Sequence, residues 1–337
     1  MDAEQLRTVV ELATRAPSVH NTQPWRFAAR TAPDGDIAAL DVFADRERSL
    51  AVIDPEGRDL HLSCGAAIEF ARIGIRSLGR SCTVQLLPDR QEPDLLASIV
   101  IGGPQPPSDE EEGLLEAIPG RYTAREPFED RAVPADLVAR LEHAVSQTGA
   151  WLRVLGDKAD EVTLAVLLAR SDDIERHDAR YETELTTWLN RPEGSGDGIP
   201  AAAVVPTHER ASSLTLREME ADELAGERAG SGAGDATEGP PPVEHPLVCI
   251  IGTPGDDNHA WLLAGQALGR LLLEAAECGV QASPMTQVTE VASARAMLAD
   301  GLGLVGHPQI VLRMGYAHGH PTTPRRPVDS VLDSPET

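Results

Sequence analysis

Residues 58–79 read RDLHLSCGAAIEFARIGIRSLG, and residues 259–279 read HAWLLAGQALGRLLLEAAECG. Both are apolar around almost the whole helical circumference, so 58–78 and 259–278 read as buried helices. Each ends at a glycine, Gly79 or Gly279, that supplies a left-handed C-terminal cap. These two glycines lie 200 positions apart, and so do Gly65 and Gly265. Leu62/Leu262, Ala67/Ala267 and Ile68/Leu268 fall in register between them. A mid-helix glycine costs about 1 kcal/mol relative to alanine. Its repetition at one place in two helices predicts that one helix backbone packs closely against the other.

The flanking segments repeat the same order. Residues 4–16 carry Leu6, Val9, Val10 and Ala13 at helical spacing and stop at Pro17. Residues 25–30 and 38–43 read as strands, and 95–101 is a β-branched strand before Gly102 and Gly103. In the second half, 134–144 places Leu137, Val138 and Leu141 on one helical face. There 151–155, 247–252 and 308–314 read as strands, the last ending at Gly315. The sequence therefore divides into a first unit at 1–103, an exposed linker PQPPSDEEEG at 104–113, and a second unit at 114–337. The second unit carries an insertion, 171–246, with no counterpart in the first. It opens as a charged helix, SDDIERHDARYETELTTWLN, passes through PEGSGDGIPAAAVVP and ends Gly/Ala/Glu-rich. An insertion of this size is either a disordered excursion or a lid; the apolar patch at 199–206 argues that part of it covers something, with 198–203 packing over or beside a ligand or else on the neighbouring unit.

The chain has 337 residues with a net charge of −25, which argues against nucleic acid and anionic membrane as partners. Hydrophobic residues make up 41% and aromatic ones 3%, so aliphatic side chains must build the core. No apolar run nears the ~20 residues of a membrane span, and the opening MDAEQLRTVV lacks a signal peptide's pattern. Cys64, Cys82, Cys249 and Cys278 are scattered beside apolar segments. They read as buried free thiols in a reducing cytoplasm. Gly301–Gly306 fits G-x-G-x-x-G but follows a helix and precedes a strand, the reverse of a dinucleotide-binding turn. His318 and His320 have no third ligand nearby, so no metal is expected.

The chemistry concentrates in loops. APSVHNTQPWRF, residues 16–27, joins the first helix to the first strand and gathers a hydroxyl, two amides and exposed backbone. This stretch resembles the APS-x-x-N-x-QPW-x-F loop of the FMN-dependent nitroreductase family. The likeness is greatest to the Acg-type branch, in which two nitroreductase-like units share one chain. RYTAREPF at 121–128 resembles the family's R-x-[ST]-x-[RK] phosphate motif and opens the second half. GY at 315–316 followed by PRRP at 324–327 resembles its C-terminal tail, with Thr323 where relatives carry lysine.

The resemblance implies an α+β pseudo-dimer of two mostly antiparallel sheets with long central helices. Ordinary relatives are homodimers whose flavin site takes the APS loop from one subunit and the phosphate motif from the other. Here the first half carries only the loop and the second only the phosphate motif. One non-covalent FMN per monomeric chain, between the halves, is the expectation. The resemblance assigns Pro17, Ser18, Asn21 and Gln23 to the flavin site. Arg121, Thr123 and Arg325 fall at the phosphate end, and Arg326 either compensates there for the missing lysine or faces solvent. Arg125 matches the cation at the flavin's N1–O2 edge. Pro284, Met285, Thr286 and Gln287 match the segment along the ring, with the Thr286 N–H as donor to N5. Thr286-Gln287 departs from the Glu-Gly of many relatives.

The implied function is hydride transfer from NAD(P)H to flavin and then to a small-molecule electron acceptor. No side-chain acid or base is required, because the flavin N5 does the chemistry. The alternative is an FMN-sequestering protein whose insertion closes over the flavin.

Overall fold

The computed structural model describes residues 1–189, 191–192, 194–200, 246–319 and 323–333. The first half folds as α1 (Ala3–Thr14), β1 (Trp25–Thr31), β2 (Ile37–Ala44), α2 (Arg58–Ser77), β3 (Arg80–Leu86) and β4 (Leu95–Pro104). After α3 (Asp109–Ala117), the second half repeats that series. It runs α4 (Ala135–Ser146), β5 (Trp151–Leu155), α5 (Lys158–Arg176), α6 (Ala179–Leu189), β6 (Leu247–Thr253) and α7 (Asn258–Glu277). It closes with β7 (Val280–Pro284), α8 (Gln287–Glu290), α9 (Ala292–Gly301) and β8 (His307–Tyr316). Helices α5–α6 and α8–α9 are the additions that the first half lacks.

The two sheets have one topology. Their strand orders are β1-β2-β4-β3 and β5-β6-β8-β7, and every pairing between these strands is antiparallel. The expected α+β architecture of two fused units is what forms. Gly79 and Gly279, at φ 71° and 74°, end the long helices in the left-handed conformation that glycine tolerates best.

Helices α2 and α7 meet at their paired glycines. A Cβ on Gly65 would stand 2.4 Å from the Leu262 carbonyl oxygen and 2.8 Å from the Gly265 Cα. The contact is reciprocal, and so is the packing around it. Leu62, from the first unit's helix, belongs to the second unit's core beside Leu271 and Leu312. Leu262, its counterpart at the same offset, belongs to the first unit's core beside Leu60 and Ile68. Exchange of matching residues across a shared surface is the pattern of a two-fold dimer interface, here inside one chain.

The additions explain an asymmetry in the strands. In β6, Cys249 and Ile251 face the core shared with α7, while Val248 and Ile250 face a second core against α5 and α9. A strand covered on both faces is apolar at every position. The first sheet has no counterpart of α5 and α9, and in β2 Asp41 stands partly exposed between the buried Leu40 and Val42.

Three sequence expectations need correction. The exposed 104–113 stretch is not linker throughout: Ser108 and Glu111 form a capping box that starts α3. The charged helix expected from 171 is two helices, and the first begins at Lys158, capped by Asp157. They part at His177, where the Asp178 carboxylate accepts the Arg180 N–H at 2.9 Å. Of the four free cysteines, Cys64 and Cys249 are buried, but Cys82 and Cys278 are only partly so. No helix among the described residues is long and apolar enough to cross a membrane.

Glu111 also ties α3 to α2. Its carboxylate accepts from Arg76 Nε at 2.8 Å, and that hydrogen bond is the main reason its pKa falls from 4.5 to about 2. A carboxylate with a depressed folded-state pKa stabilises the fold above its unfolded value, and the contribution is lost as pH falls through the folded one. Wild type should therefore exceed Glu111→Gln in denaturation midpoint at pH 7. The gap should close between about pH 4.5 and 2. A gap independent of pH would show that the pairing with Arg76 does not matter.

Candidate functional site

A cleft lies where the units meet and offers about 1040 Å³ of free space, its open mouth included. The first unit contributes Pro17, Ser18, Val19 and His20 from the loop after α1, with Asp59, Leu62 and Ser63 from α2. The second contributes Thr123, Arg125, Leu268, Ile310, Arg313 and residues 283–287. An apolar interior with a few convergent polar groups is the usual make-up of a small-molecule site.

The loop after α1 is strained. His20, Asn21 and Gln23 all have positive φ, at 45°, 56° and 50°. Non-glycine residues hold such conformations only where the surroundings fix them, commonly at functional sites. The surroundings here are specific. Ser18 Oγ accepts the Gln23 N–H at 2.9 Å, and Ser63 Oγ accepts the Val19 N–H at 3.2 Å. Asn21 Nδ2 donates to the carbonyls of Gly198, at 2.9 Å, and Pro324, at 3.0 Å. Gln23 Nε2 donates to Gly196 O at 2.8 Å, while its Oε1 accepts the Arg326 N–H at 2.9 Å. The two amides thus staple the loop to the insertion on one side and to the C-terminal tail on the other.

The 121–125 segment is positioned by the edge of the second sheet. Thr123 pairs with Ala282 in a parallel bridge, and the Ala124 N–H reaches Ala282 O at 3.0 Å. Extended backbone alternates its side chains. Thr123 and Arg125 line the cleft, while Tyr122, Ala124 and Phe128 form a small core of their own. The R-x-T-x-R spacing is this alternation written in sequence. Arg313, fully buried on β8, donates to the carbonyls of Arg125, at 3.4 Å, and Glu126, at 3.2 Å.

The tail crosses from the second unit to the first. Residues 331–333 run parallel to β1, with the Phe27 N–H on Val331 O at 2.7 Å and the Asp333 N–H on Phe27 O at 2.8 Å. That crossing brings Arg325 to the first unit's loop, where its Nη1 donates to Asn21 Oδ1 at 3.1 Å. Arg121 and Arg325 then share one acceptor. The Arg15 carbonyl takes Arg121 Nη2 at 3.3 Å and Arg325 Nη2 at 3.4 Å. Burial, reinforced by neighbouring guanidiniums, pushes Arg121 down to about 10 and Arg325 to about 9. Three shielded donors, Arg121 Nε and Nη1 and Arg325 Nε, have no acceptor among the described residues. Neither arginine has a carboxylate partner among them, in a chain of net charge −25. Buried unpaired cations are costly, so this cradle is built for an anion.

The segment after β7 forms one wall of the cleft. The Met285 N–H is taken by Val311 O at 2.8 Å. Thr286 caps the short α8, and an N-terminal amide of that kind has no intrahelical acceptor.

Of the residues expected from sequence, Pro17, Ser18, Thr123, Arg125, Pro284, Met285, Thr286 and Gln287 line the cleft. Arg121 and Arg325 form the cradle beside it. Asn21, Gln23 and Arg326 do not line it. The Arg326 guanidinium is engaged by Asp45 at 3.3 Å and by the carbonyls of Gln23 and Ser330. Ile199, from the insertion's apolar patch, is buried and reaches the cleft. Residues 201–206 of that patch, and His320, lie outside the described residues. Arg15, Asp59, Ser63 and Arg313 escaped the sequence reading. The position of Asp59 and Ser63, one turn apart on a helix face beside Leu62, was their only signal. Among the described residues no three His, Cys, Asp or Glu side chains gather to hold a metal.

Two units fused through α2 and α7, with a cleft and an anion cradle at their junction, define the class: a nitroreductase-like pseudo-dimer. The chain belongs to the NAD(P)H nitroreductase family, in its tandem, Acg-type branch. It is 35% identical over 343 residues to "Putative NAD(P)H nitroreductase Rv3131" of Mycobacterium tuberculosis, covering 99% of this chain and 93% of that one. It is 28% identical over 334 residues to the acg protein of the same organism, which bears the same designation, covering 97% and 95%. Among solved structures, a nitroreductase with bound FMN from Desulfitobacterium hafniense is similar at 12% identity and a TM-score of 0.41, covering 66% of this chain and 98% of that one. No family model matches the chain.

Proposed function

We propose that the chain is an FMN-dependent NAD(P)H oxidoreductase that binds one FMN non-covalently between its halves and passes electrons to a small-molecule acceptor. The observation that carries this reading is the cradle: three shielded guanidinium donors without acceptors among the described residues, beside an apolar cleft of about 1040 Å³. Arg121 and Arg325 would hold the phosphate, since guanidinium forks suit its oxygens. Thr123 would add a hydroxyl. Arg125 would place a fixed positive charge beside the ring's N1–O2 edge, and the Thr286 N–H, free of an intrahelical acceptor, would face N5. Asn21, Gln23 and Arg326 act from behind, by holding the strained loop and presenting Arg325. When bound, the flavin supplies hydride chemistry at N5. The chain's residues bind it, orient it and keep the cleft apolar.

A second reading, binding with little turnover, is favoured by one observation. The insertion is part of the cleft: Ile199 lines it, and the carbonyls of Gly196 and Gly198 are held by Gln23 and Asn21. One experiment tests both readings. Flavin released on denaturing the purified protein should equal one FMN per chain. Anaerobic NADH or NADPH should then bleach the bound flavin within the mixing time of a turnover assay. Two FMN per chain would overturn the single-site reading. Loaded protein that neither donor bleaches would leave the sequestering reading.

A further inference from the structure

The C-terminus of α1 delivers a third cation to the cradle. Arg15 is the helix's C-cap, and its backbone carbonyl is the oxygen that binds both Arg121 and Arg325. Its side chain is exposed and forms no ion pair or hydrogen bond among the described residues. Its charge also bears on the buried pair, helping to lower the pKa of each. The end of α1, the 121–125 segment and the C-terminal tail thus bring Arg15, Arg121 and Arg325 together, with Arg125 near enough to add to the repulsion, and among the described residues no carboxylate pairs with the first three. Several other arginines do have carboxylate partners: Arg48 with Asp197, Arg76 with Glu111, Arg295 with Asp256. Like charges assembled in a shielded site repel unless an anion joins them. Arg121 and Arg325 already match the double charge of a phosphate monoester, so the third cation needs a role of its own.

We infer that the Arg15 guanidinium closes over the flavin phosphate as an outer, third ligand and sets the site's preference for FMN over riboflavin. This inference rests on the FMN reading above. The fold separates two tasks in one residue: the carbonyl fixes the two inner arginines, and the side chain meets the ligand from the solvent side. Arg15→Gln removes the charge and keeps the carbonyl, so the frame of the cradle survives.

The test titrates flavin-free, full-length protein with FMN and with riboflavin, following flavin fluorescence at two salt concentrations. Arg15→Gln should weaken FMN binding about 5- to 20-fold, the scale of one charge-assisted hydrogen bond near water. Riboflavin affinity should stay within about twofold, and FMN binding should become less salt-sensitive. Arg15→Lys should recover part of the loss, because charge returns without the fork. If wild type prefers FMN and Arg15→Gln binds it equally well, or if the variant loses both ligands alike, the inference is overturned. A wild type with no preference for FMN would instead bring down the phosphate reading beneath it.

Discussion

Gly265→Ala should lower the stability of the protein by about 3 kcal/mol or more, although alanine is the better helix former. Propensity alone predicts a gain of about 1 kcal/mol for replacing a mid-helix glycine. The geometry decides against it. A Cβ on Gly265 would sit 2.2 Å from the Leu62 carbonyl oxygen and 2.8 Å from the Gly65 Cα. Both obstacles are backbone, so no side-chain rotation relieves them. The helices must separate, and Leu62 and Leu262 are each then drawn from the other unit's core. The expected result is a fall in melting temperature of roughly 4 °C or more for a chain of this size. Gly103→Ala is the matched control: nothing lies within 4 Å of its Cβ, so it should be close to neutral. Gly65→Ala should resemble Gly265→Ala, and the double variant should cost less than the two together, because one separation of the helices relieves both clashes. Flavin affinity should fall as well, since Leu62 and Leu268 line the cleft beside the contact. A Gly265→Ala protein as stable as wild type would mean that the helices do not approach this closely.

Those glycines were legible in sequence because a repeated helix-breaker is a physical cost that only packing explains. Strands β3 and β7 were not. Each directly follows a capping glycine and alternates over only a few residues, Cys82, Val84 and Leu86 in β3 and Val280 and Ala282 in β7, a pattern too short to stand out behind a long apolar helix. Helix α3 was hidden by composition: its capping box lies within a Pro- and acid-rich stretch that reads as solvated chain. The site divided in the same way. Its loops carried recognisable residue strings, and the alternating R-x-T-x-R placed Thr123 and Arg125 in the cleft. Asp59, Ser63 and Arg313 come from helix and strand faces, where a single polar residue in an apolar run gives little local warning. Asn21 and Gln23 illustrate a different limit. Their importance was visible, but only the fold shows that their amides face the insertion and the tail. Sequence position does not reveal that the C-terminal tail crosses to β1, which is what places Arg325 beside Asn21.

The cradle yields the other large effect. Arg121→Ala should weaken FMN binding about ten- to a hundredfold, the equivalent of one or two lost charge-assisted hydrogen bonds. Riboflavin, which has the ring but no phosphate, should bind within about twofold of wild type. The flavin-free variant provides a second reading. Arg121 is buried, is depressed to about 10 by burial with Arg125 and Arg15 adding repulsion, and has two donors without acceptors among the described residues. Removing such a group relieves a desolvated charge even as it leaves a cavity, so the flavin-free variant should melt no lower than flavin-free wild type. The two proteins should part when FMN is added. Stabilisation by a ligand grows as RT ln(1 + [L]/Kd), so at equal FMN the variant's melting temperature should rise less. A guanidinium that merely braces the fold would behave in the opposite way. Its loss would lower the flavin-free melting temperature and reduce FMN and riboflavin affinity together, and that pattern would remove Arg121 from the phosphate site.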